Sequence, residues 1–424
     1  MLADGFDLVL DLKKSRGCQI YDSRRGKYFL DCFSFFGTAP LGCNHPKMVD
    51  PEFVKKMGEL AVNNPSNSDV YTVEMAEFVH TFTSIAMPKH FEHLFFISGG
   101  ALAVENGLKV AFDWKVRKNI AAGKGEKGSQ IIHFKDAFHG RTGYTVSMTN
   151  TFNPNKTKYF AKFSWPRIDN PKAVFPLTGK NLEDVKRRET AALDQINQAI
   201  AKNPDDIAGL IIEPIQSEGG DNHFRGEFLL ALRKLCDKND IMYILDEVQT
   251  GIGLTGKMWA YQHFNFEPDI VSFGKKTQVC GIMVSDRVDQ VKDNVFQVPS
   301  RINSTWGGNL VDMVRAQKYL EIIKEERLVE KAAENGAYLL KGLSELQAKY
   351  PSLISNVRGR GLLCAFDLPS AEQRDLLRKK LYEKDMVILG CGSMSIRFRP
   401  PLTMGQDELN VAVSALDSSL ATMA

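Results

Sequence analysis

The chain has 424 residues, and 43% of them are hydrophobic, enough to bury a large core. Its 54 lysines and arginines nearly balance 51 acidic residues, for a net charge of +3. This balance gives no reason to expect nucleic acid or an acidic membrane as a partner. Seven scattered cysteines form no C-x-x-C pair, which argues against a disulfide framework or a cysteine zinc site, and no metal is expected.

The N-terminal stretch is amphipathic and carries acidic residues early, unlike a secretory signal. No run of eighteen apolar residues occurs anywhere in the chain, so no membrane-spanning helix is expected. These features together predict a cytoplasmic protein.

The apolar patterning changes along the chain. Residues 18–34 alternate as in a small hairpin turned at "SRRG". After "GCNHP" the pattern predicts six strands, at 93–98, 130–134, 207–214, 241–247, 269–273 and 280–285. Helical patterns separate several of them, at 101–122, 189–203 and 226–239. Unbroken apolar strands that alternate with helices predict a mostly parallel sheet covered on both faces.

The C-terminal part has a different pattern. Residues 309–350 predict a long helical segment, followed by strand-like segments at 356–368 and 395–402 with another helix between them. We therefore predict an α/β protein with a large domain over 46–310. A small α+β domain would combine residues 1–45 with 311–424.

In parallel α/β sheets, ligands bind beyond the carboxyl ends of the strands. The segments that follow the predicted strands are Ser98–Ala101, Asp136–Arg141, Glu213–Gly220, Asp246–Gln249 and the pair Lys275–Lys276.

Two of these side chains suggest a chemistry. Asp246 ends a buried strand, where a carboxylate is costly unless it is paired, either with a structural partner or with a bound cation. Lys275 ends the next main strand 29 residues later, close to the roughly 30 residues of a βαβ unit, so the two strands are candidate neighbours. The turn at Gly99–Gly100 is suited to a phosphate, although by itself a simple tight turn is the favoured explanation. An acid, an amine and a phosphate turn are what pyridoxal phosphate requires.

The run "LDEVQTGIGLTG…PDIVSFGKK" (245–276) resembles the class III aminotransferases, which are pyridoxal phosphate enzymes of fold type I. The resemblance covers nearly the whole chain, through "YDSRRGKYFLDCFS", "LGCNHP", "FHGRTGY", "EPIQSEGG", "STWGGN" and "IRFRPPL". Within the family, "SGGALAVENGLK", "FGKKTQVCG" and "NSTWGGN" are similar to the branch that acts on the 6-amino group of L-lysine. Leu254 stands where most members have arginine, and "TQVCGI" replaces an "SGG" stretch. Ornithine and 4-aminobutyrate aminotransferases of the same class are the alternative.

The resemblance implies roles for residues around the cofactor. Lys275 would form the Schiff base and transfer protons, and Asp246 would pair with the ring nitrogen. Lys276 would point away from the crevice, because side chains alternate along an extended chain, and its ammonium group would reach water or pair with an acid. The resemblance also implies that backbone N–H groups of Gly100 and Ala101 bind the phosphate. Phe138 would lie on the ring face with His139 beside it, and Gln249 would lie at the phenolic oxygen.

Further residues are implied for the partner subunit and the substrates. Thr305, with Ser304 beside it, would reach the phosphate of the neighbouring subunit's cofactor, which requires a homodimer. Arginine reads carboxylates in a bidentate manner, and Arg141 would bind the far carboxylate of L-lysine or 2-oxoglutarate. Arg397 would bind the near carboxylate of 2-oxoglutarate, with Arg399 as the other candidate.

During the lysine half-reaction Arg397 would lack a carboxylate partner. Leaving a buried charge unpaired costs about 3–5 kcal/mol, so Glu218 is predicted to pair with Arg397 at that stage and to swing away for 2-oxoglutarate. Gln249 is also a candidate substrate contact. A nicotinamide dehydrogenase is a different class with a similar α/β pattern, but such an enzyme requires a G-x-G-x-x-G turn after its first strand, and none follows the strand predicted at 93–98.

Overall fold

A computed structural model describes residues 5–424, so the first four residues of the predicted small domain lie outside the described part. The strands are β1 Leu10–Arg16, β2 Gln19–Asp22, β3 Lys27–Asp31, β4 Phe91–Ile97, β5 Gln130–Phe134, β6 Arg167–Ile168, β7 Ile207–Ile212, β8 Ile215–Gln216, β9 Asn222–His223, β10 Met242–Asp246, β11 Ile270–Phe273, β12 Cys280–Ser285, β13 Ser355–Arg360, β14 Leu363–Asp367, β15 Met386–Val387, β16 Leu389–Cys391 and β17 Ser395–Phe398. The helices are α1 Ser34–Gly37, α2 Pro51–Ala61, α3 Val73–Ile85, α4 Gly100–Ala121, α5 Gly143–Met148, α6 Gly179–Lys202, α7 Gly226–Lys238, α8 Leu310–Glu325, α9 Leu328–Lys349, α10 Ala371–Glu383 and α11 Gln406–Leu420. Short 3₁₀ helices occupy Pro46–Met48, Pro154–Lys156, Ala260–His263, Lys275–Thr277 and Asp286–Gln290.

The main sheet has seven strands in the order β4-β12-β11-β10-β7-β5-β6. Neighbouring strands pair in parallel except at β12, which runs antiparallel to both β11 and β4. Every residue of β7, β10, β11 and β12 is buried, which explains their continuous apolar sequences. The prediction of a mostly parallel sheet in an α/β fold is confirmed.

All six strands predicted for this sheet are present. Residues 130–134 and 280–285 match β5 and β12 at both ends, and the other four differ from the predicted bounds by one or two residues. The predicted helices correspond to α4, α6 and α7, although α6 begins ten residues earlier than its apolar pattern indicated. The two-residue strand β6 was not predicted, because so short a segment shows no periodicity.

Helix α4 packs closely on the main sheet. A Cβ atom on Gly107 would lie 3.3 Å from Ile270 Cγ2, so a larger residue here would fit only if the Ile270 side chain shifted. The core on this side is formed by buried residues that α4 and five strands contribute, among them Leu108, Trp114, Ile131, Ile211, Ile244, Ile270 and Ile282. This packing fixes the start of α4 near the carboxyl ends of the parallel strands.

The chain divides into two compact units. The small unit comprises the described residues up to Val62, Ile252–Met258 and Lys318–Ala424, and the large unit comprises Asn63–Gly251 and Trp259–Gln317. The small unit thus combines both ends of the chain. The domain boundaries predicted at 46 and 310 stay a prediction, since the compact units are drawn at other positions.

The small unit contains two four-stranded sheets, in the orders β1-β2-β3-β15 and β13-β14-β17-β16. The hairpin predicted over residues 18–34 is confirmed as β2 and β3, which pair antiparallel around Ser23–Gly26. Residues 309–350 do not form one continuous helix. Arg327 adopts a left-handed backbone, with φ 53°, and separates α8 from α9.

Replacement of Gly281 in the middle of β12 is expected to destabilise the large unit. A Cβ atom at this position would lie 2.2 Å from the carbonyl oxygen of Phe95 and 2.7 Å from Phe273 Cζ, and the backbone atom cannot move aside without breaking the pairing of β12 with β4. We expect Gly281→Ala to lower the free energy of unfolding by about 2–3 kcal/mol, measured by urea denaturation. Gly58→Ala is the control, because no atom lies within 4 Å of its added Cβ in α2, and we expect a gain of about 0.5–1 kcal/mol. Equal midpoints for Gly281→Ala and the unmodified chain would contradict this packing.

Candidate functional site

The carboxyl ends of β10 and β11 meet at one edge of the main sheet. The two strands pair in parallel with Asp246 opposite Ser272. The prediction that these two strands are neighbours is therefore confirmed. Asp246 is the last residue of β10, and Lys275 follows the end of β11 by two residues. The acid and the amine selected from the sequence therefore lie on adjacent segments of the same edge.

Val248 connects these segments with the glycine turn. A Cβ atom on Gly100 would lie 3.0 Å from Val248 Cγ1, and one on Gly274 would lie 3.4 Å from the same atom. Since Gly100 begins α4 and Gly274 precedes Lys275, the three loops are in direct contact around one side chain. A fourth loop joins them, because a Cβ atom on Gly140 would lie 2.5 Å from that of Ala101.

Asp246 forms a buried pair with His139. Asp246 Oδ2 lies 2.8 Å from His139 Nδ1, and the two residues are 5% and 2% exposed. Asp246 Oδ1 accepts the N–H of Val248 at 3.1 Å. The other ring nitrogen of His139, Nε2, is buried and has no hydrogen-bond partner within residues 5–424. His139 thus fixes the orientation of the Asp246 carboxylate.

Two buried glutamates hold the surrounding loops, and neither was given a role by the sequence. Glu213 accepts the N–H of Phe138 at 2.9 Å and that of Ser217 at 3.0 Å. Burial, with Asp246 nearby, raises the pKa of Glu213 above its usual value. Its position directly after the buried strand β7 was the available signal, because a carboxylate there needs partners.

Glu247 holds the next loop in the same manner. Its carboxylate accepts the N–H groups of Ala260 at 3.0 Å and Tyr261 at 2.8 Å, and also the hydroxyl of Thr250. Burial raises the pKa of Glu247 to about 7, against the opposing effect of the Lys276 ammonium group. These hydrogen bonds tie the start of the loop after β10, at Glu247, to the segment that begins at Ala260.

The two adjacent lysines have different environments. Lys276 is 3% exposed and donates to the carbonyl oxygen of Gln249 at 2.7 Å, so it has a structural role beside Glu247 and does not reach water. Lys275 is partly exposed and has a left-handed backbone, with φ 55°. For a residue other than glycine this conformation costs roughly 1–2 kcal/mol, and such strain is found at functional positions.

The start of α4 has the features of an anion site. Gly99 has φ 105°, with no atom within 4 Å of a Cβ placed on it, so the turn faces open space. The helix is 22 residues long, and its first turn contains no acidic residue. Its N-terminal N–H groups, including those of Gly100 and Ala101, suit a phosphate.

Phe138 and Gln249 lie on the loops that flank Asp246. Phe138 is half-buried, and its backbone N–H is held by Glu213. Gln249 is 9% exposed, and its Oε1 atom is buried without a hydrogen-bond partner within the described chain. A buried polar atom without a partner suits a site that is completed by a ligand.

Glu218 is paired with a lysine of its own unit. Its carboxylate forms an ion pair with Lys156, and both side chains are 23% exposed. The backbone beside it is tightly packed, because a Cβ atom on Gly219 would lie 2.0 Å from the carbonyl oxygen of Asp136. The backbone at this position therefore approaches Asp136 at a distance that only glycine permits.

The other predicted contacts of the large unit are exposed or half-buried. Arg141 makes no ion pair with any residue between 5 and 424. Thr305 is exposed and Ser304 half-buried. The carbonyl oxygen of Trp306 accepts the N–H of Ser98 at 3.1 Å, which holds this loop beside the start of α4.

Arg397 and Arg399 belong to the small unit. Arg397 lies in β17 opposite Ala365 of β14 and Leu389 of β16, and it is 2% exposed. Arg399 follows the end of β17, is fully buried and donates to the carbonyl oxygen of Phe398 at 2.7 Å. Because both side chains are buried, burial does not decide which of the two arginines binds the near carboxylate of 2-oxoglutarate.

Comparison with known proteins identifies the family. The family model described as aminotransferase class III matches residues 3–420, and the chain belongs to this family. The L-lysine-epsilon aminotransferase of Mycobacterium tuberculosis is 51% identical over 99% of this chain and 93% of its own length. The enzyme of the same name from Amycolatopsis lactamdurans is 50% identical, over 100% of this chain and 94% of its own length. A solved structure of the lysine aminotransferase from M. tuberculosis, in the internal aldimine form, superposes with a TM-score of 0.97 at 51% identity, covering 100% of this chain and 97% of that one.

Class III aminotransferases use pyridoxal phosphate, and this chain is a pyridoxal phosphate-dependent transaminase. The residues fit the cofactor: a buried carboxylate for a cationic ring nitrogen, a half-buried aromatic ring, a buried amide and a glycine turn open at a helix N-terminus. Within residues 5–424 no group of His, Cys, Asp and Glu side chains is arranged to hold a metal ion. In the same part of the chain, no helix is both long and apolar enough to cross a membrane.

Proposed function

We propose that this chain transfers the 6-amino group of L-lysine to 2-oxoglutarate. The products would be glutamate and 2-aminoadipate 6-semialdehyde, which cyclises to 1-piperideine 6-carboxylate. The observation that carries the proposal is the identity of about 50%, end to end, with two L-lysine-epsilon aminotransferases. Leu254 and the segment "TQVCGI" support lysine over ornithine and 4-aminobutyrate, as both depart from the pattern of most class III members.

The chemistry depends on two side chains at the edge of the main sheet. Bound pyridoxal phosphate supplies an aldehyde for the amino group and a ring that accepts electrons from the reacting carbon. Asp246, oriented by His139 at 2.8 Å, supplies the negative charge that keeps the ring nitrogen protonated. Lys275 binds the aldehyde between turnovers and, once released, moves a proton to and from the reacting carbon.

The remaining cofactor contacts follow from the same arrangement. The N–H groups of Gly100 and Ala101 bind the phosphate, Phe138 covers one ring face, and Gln249 donates to the phenolic oxygen. His139 acts through Asp246, since its ring nitrogen pairs with that carboxylate.

We further propose a cytoplasmic homodimer in which Ser304 and Thr305 reach the phosphate of the partner's cofactor. Exposed Thr305 is available for such a contact. The large unit also exposes several large aromatic side chains, a feature of protein interfaces, and these are Tyr71, Phe152, Tyr159, Phe160, Phe163 and Trp306.

The proposal assigns one arginine to each carboxylate. Exposed Arg141 binds the carboxylate far from the reacting carbon, for both substrates, with Gln249 as a further substrate contact. Arg397 binds the near carboxylate of 2-oxoglutarate. When lysine is bound, Glu218 neutralises Arg397 in place of that carboxylate.

The substrate is tested with the purified holoenzyme. It is incubated with 2-oxoglutarate and either L-lysine, ornithine or 4-aminobutyrate, and the products are identified by mass spectrometry. We expect glutamate and the cyclised semialdehyde from lysine, with a kcat/KM at least about tenfold above that for the other amines. Equal or higher values for ornithine or 4-aminobutyrate would assign the chain to the alternative substrates of its class.

A further inference from the structure

Cys280 begins β12 and packs against the turn that leads into α4. It lies opposite Ile97, the last residue of β4, in the antiparallel pairing of the two strands. With Ile97 and Ala103 of α4 it forms a small apolar cluster, against which Phe95 also packs, and it is 8% exposed. The Cys280 side chain therefore contacts both the strand before the glycine turn and the first turn of the helix after it.

The sulfur of Cys280 also lies against the loop that bears Lys275. A Cβ atom on Gly274 would lie 2.8 Å from Cys280 Sγ and 3.4 Å from Val248 Cγ1. These two atoms together fill the space that a side chain at position 274 would need. Since Val248 approaches Gly100 in the same way, Val248 and Cys280 both pack between the glycine turn and the loop of Lys275.

Two backbone N–H groups are directed at the same sulfur. Burial raises the pKa of the Cys280 thiol, and the N–H groups of Gly99 and Lys275, which lie within hydrogen-bonding reach of the sulfur, oppose this increase. The N–H of Gly99 thus serves the sulfur, whereas those of Gly100 and Ala101 are the ones placed to bind a phosphate.

The backbone of Lys275 needs support of this kind. Its left-handed conformation, with φ 55°, persists only where the surrounding structure holds it. The carbonyl oxygen of Lys275 accepts the backbone N–H of Gln278 at 2.9 Å and the side-chain Nε2 of the same residue at 3.1 Å. With the Cys280 sulfur at its N–H, Lys275 is held on both sides of its Cα atom.

We propose that Cys280 is a positioning residue that ties the phosphate turn at Gly99–Ala101 to the loop of Lys275, and so sets how firmly the cofactor is retained. The inference rests on the proposed function for these two cofactor contacts and is independent of the amino substrate. It gives a role to the segment "TQVCGI", which the sequence marked only as a departure from most class III members. Cys280 takes no part in the chemical step.

The test variant is Cys280→Ala, which removes the sulfur and keeps the Cβ atom. Holoenzyme is prepared with pyridoxal phosphate and, separately, with pyridoxamine phosphate, which lacks the aldehyde that bonds to Lys275. The absorbance of the cofactor retained during ultrafiltration is followed over time. We expect Cys280→Ala to release pyridoxamine phosphate about fivefold faster, since one hydrogen bond contributes roughly 1 kcal/mol net. Cys280→Ser should restore the rate to within about twofold, because its hydroxyl oxygen accepts the same N–H groups.

Cys236→Ala is the matched control. Cys236 is a fully buried cysteine of α7 in the same unit. Its carbonyl oxygen accepts the N–H of Ile241 at 3.0 Å, just before β10 begins, at the opposite end of that strand from Asp246. The control removes a sulfur of the same size from the core, so it should lower the thermal stability and leave the release of the cofactor unchanged.

The release rates are measured alongside thermal unfolding and borohydride labelling of each variant. Faster release in Cys280→Ala alone, with a similar loss of stability in both alanine variants, would support the role of Cys280. Unchanged release in Cys280→Ala, equally fast release in Cys236→Ala, or a failure of Cys280→Ser to restore the rate would overturn it. If borohydride does not label Lys275 in the unmodified holoenzyme, the cofactor contact in the proposed function fails instead.

Discussion

Replacing Lys275 with alanine is expected to reduce the rate of transamination by about 10⁴-fold or more. The substitution removes both the amine that binds the cofactor and the group that moves the proton, and a positioned general acid–base alone contributes about 10²–10⁴-fold. The measurement is the single-turnover rate with lysine, followed by the absorbance of the cofactor. Borohydride treatment provides a second readout: the label should be found on Lys275 in the unmodified protein and be lost in Lys275→Ala.

Lys276→Met is the matched control for this prediction. Lys276 is buried and bound to the carbonyl oxygen of Gln249, so its loss leaves that oxygen and Glu247 with one partner fewer. We expect a lower free energy of unfolding, by about 1–3 kcal/mol, with borohydride labelling of Lys275 retained. A label on residue 276, or turnover by Lys275→Ala near that of the unmodified protein, would show that the wrong lysine has been chosen.

The second large effect is expected for Asp246→Asn, with a loss of about 10³-fold in kcat/KM. Asparagine has the same shape and keeps an oxygen to accept the N–H of Val248, but it removes the negative charge. Removal of one preorganised electrostatic partner costs about 10²–10³-fold in known enzymes. The kinetic constants of the variant are measured alongside its thermal unfolding, which should change little.

His139→Asn is the comparison for Asp246→Asn. The amide nitrogen of asparagine occupies nearly the position of His139 Nδ1 and can still donate to Asp246, so we expect a loss of only about tenfold. A loss for His139→Asn as large as that for Asp246→Asn would mean that the histidine itself carries the charge effect. Normal turnover in Asp246→Asn would show that the buried pair of Asp246 and His139 has only a structural role.

The sequence predicted the central strands of the large unit, and also the pair Asp246 and Lys275, because the signals for both are local in the sequence. Each buried parallel strand is a continuous apolar run, and the polar residue that ends it marks the edge where ligands bind. The spacing between Asp246 and Lys275 matched a single crossover, and β10 and β11 are neighbours. The family resemblance then implied the cofactor, and the comparisons support it.

Contacts between distant segments were not predictable from those signals. Nothing in the sequence indicated that His139 pairs with Asp246 across 107 residues, or that Glu218 pairs with Lys156 across 62. The same is true of Glu213, which holds two loops at once. The strand order also required the structure, since β12 enters antiparallel between β11 and β4.

The sequence by itself determined the class of fold, the edge of the sheet that bears the site, and the acid and amine that lie there. Only the tertiary structure decided which side chains orient them, that Lys276 is buried, and which cation accompanies Glu218. The reason is physical: periodicity and strand ends report the burial of a segment against its neighbours, whereas an ion pair or a hydrogen bond depends on loops that are brought together by the folding of the whole unit.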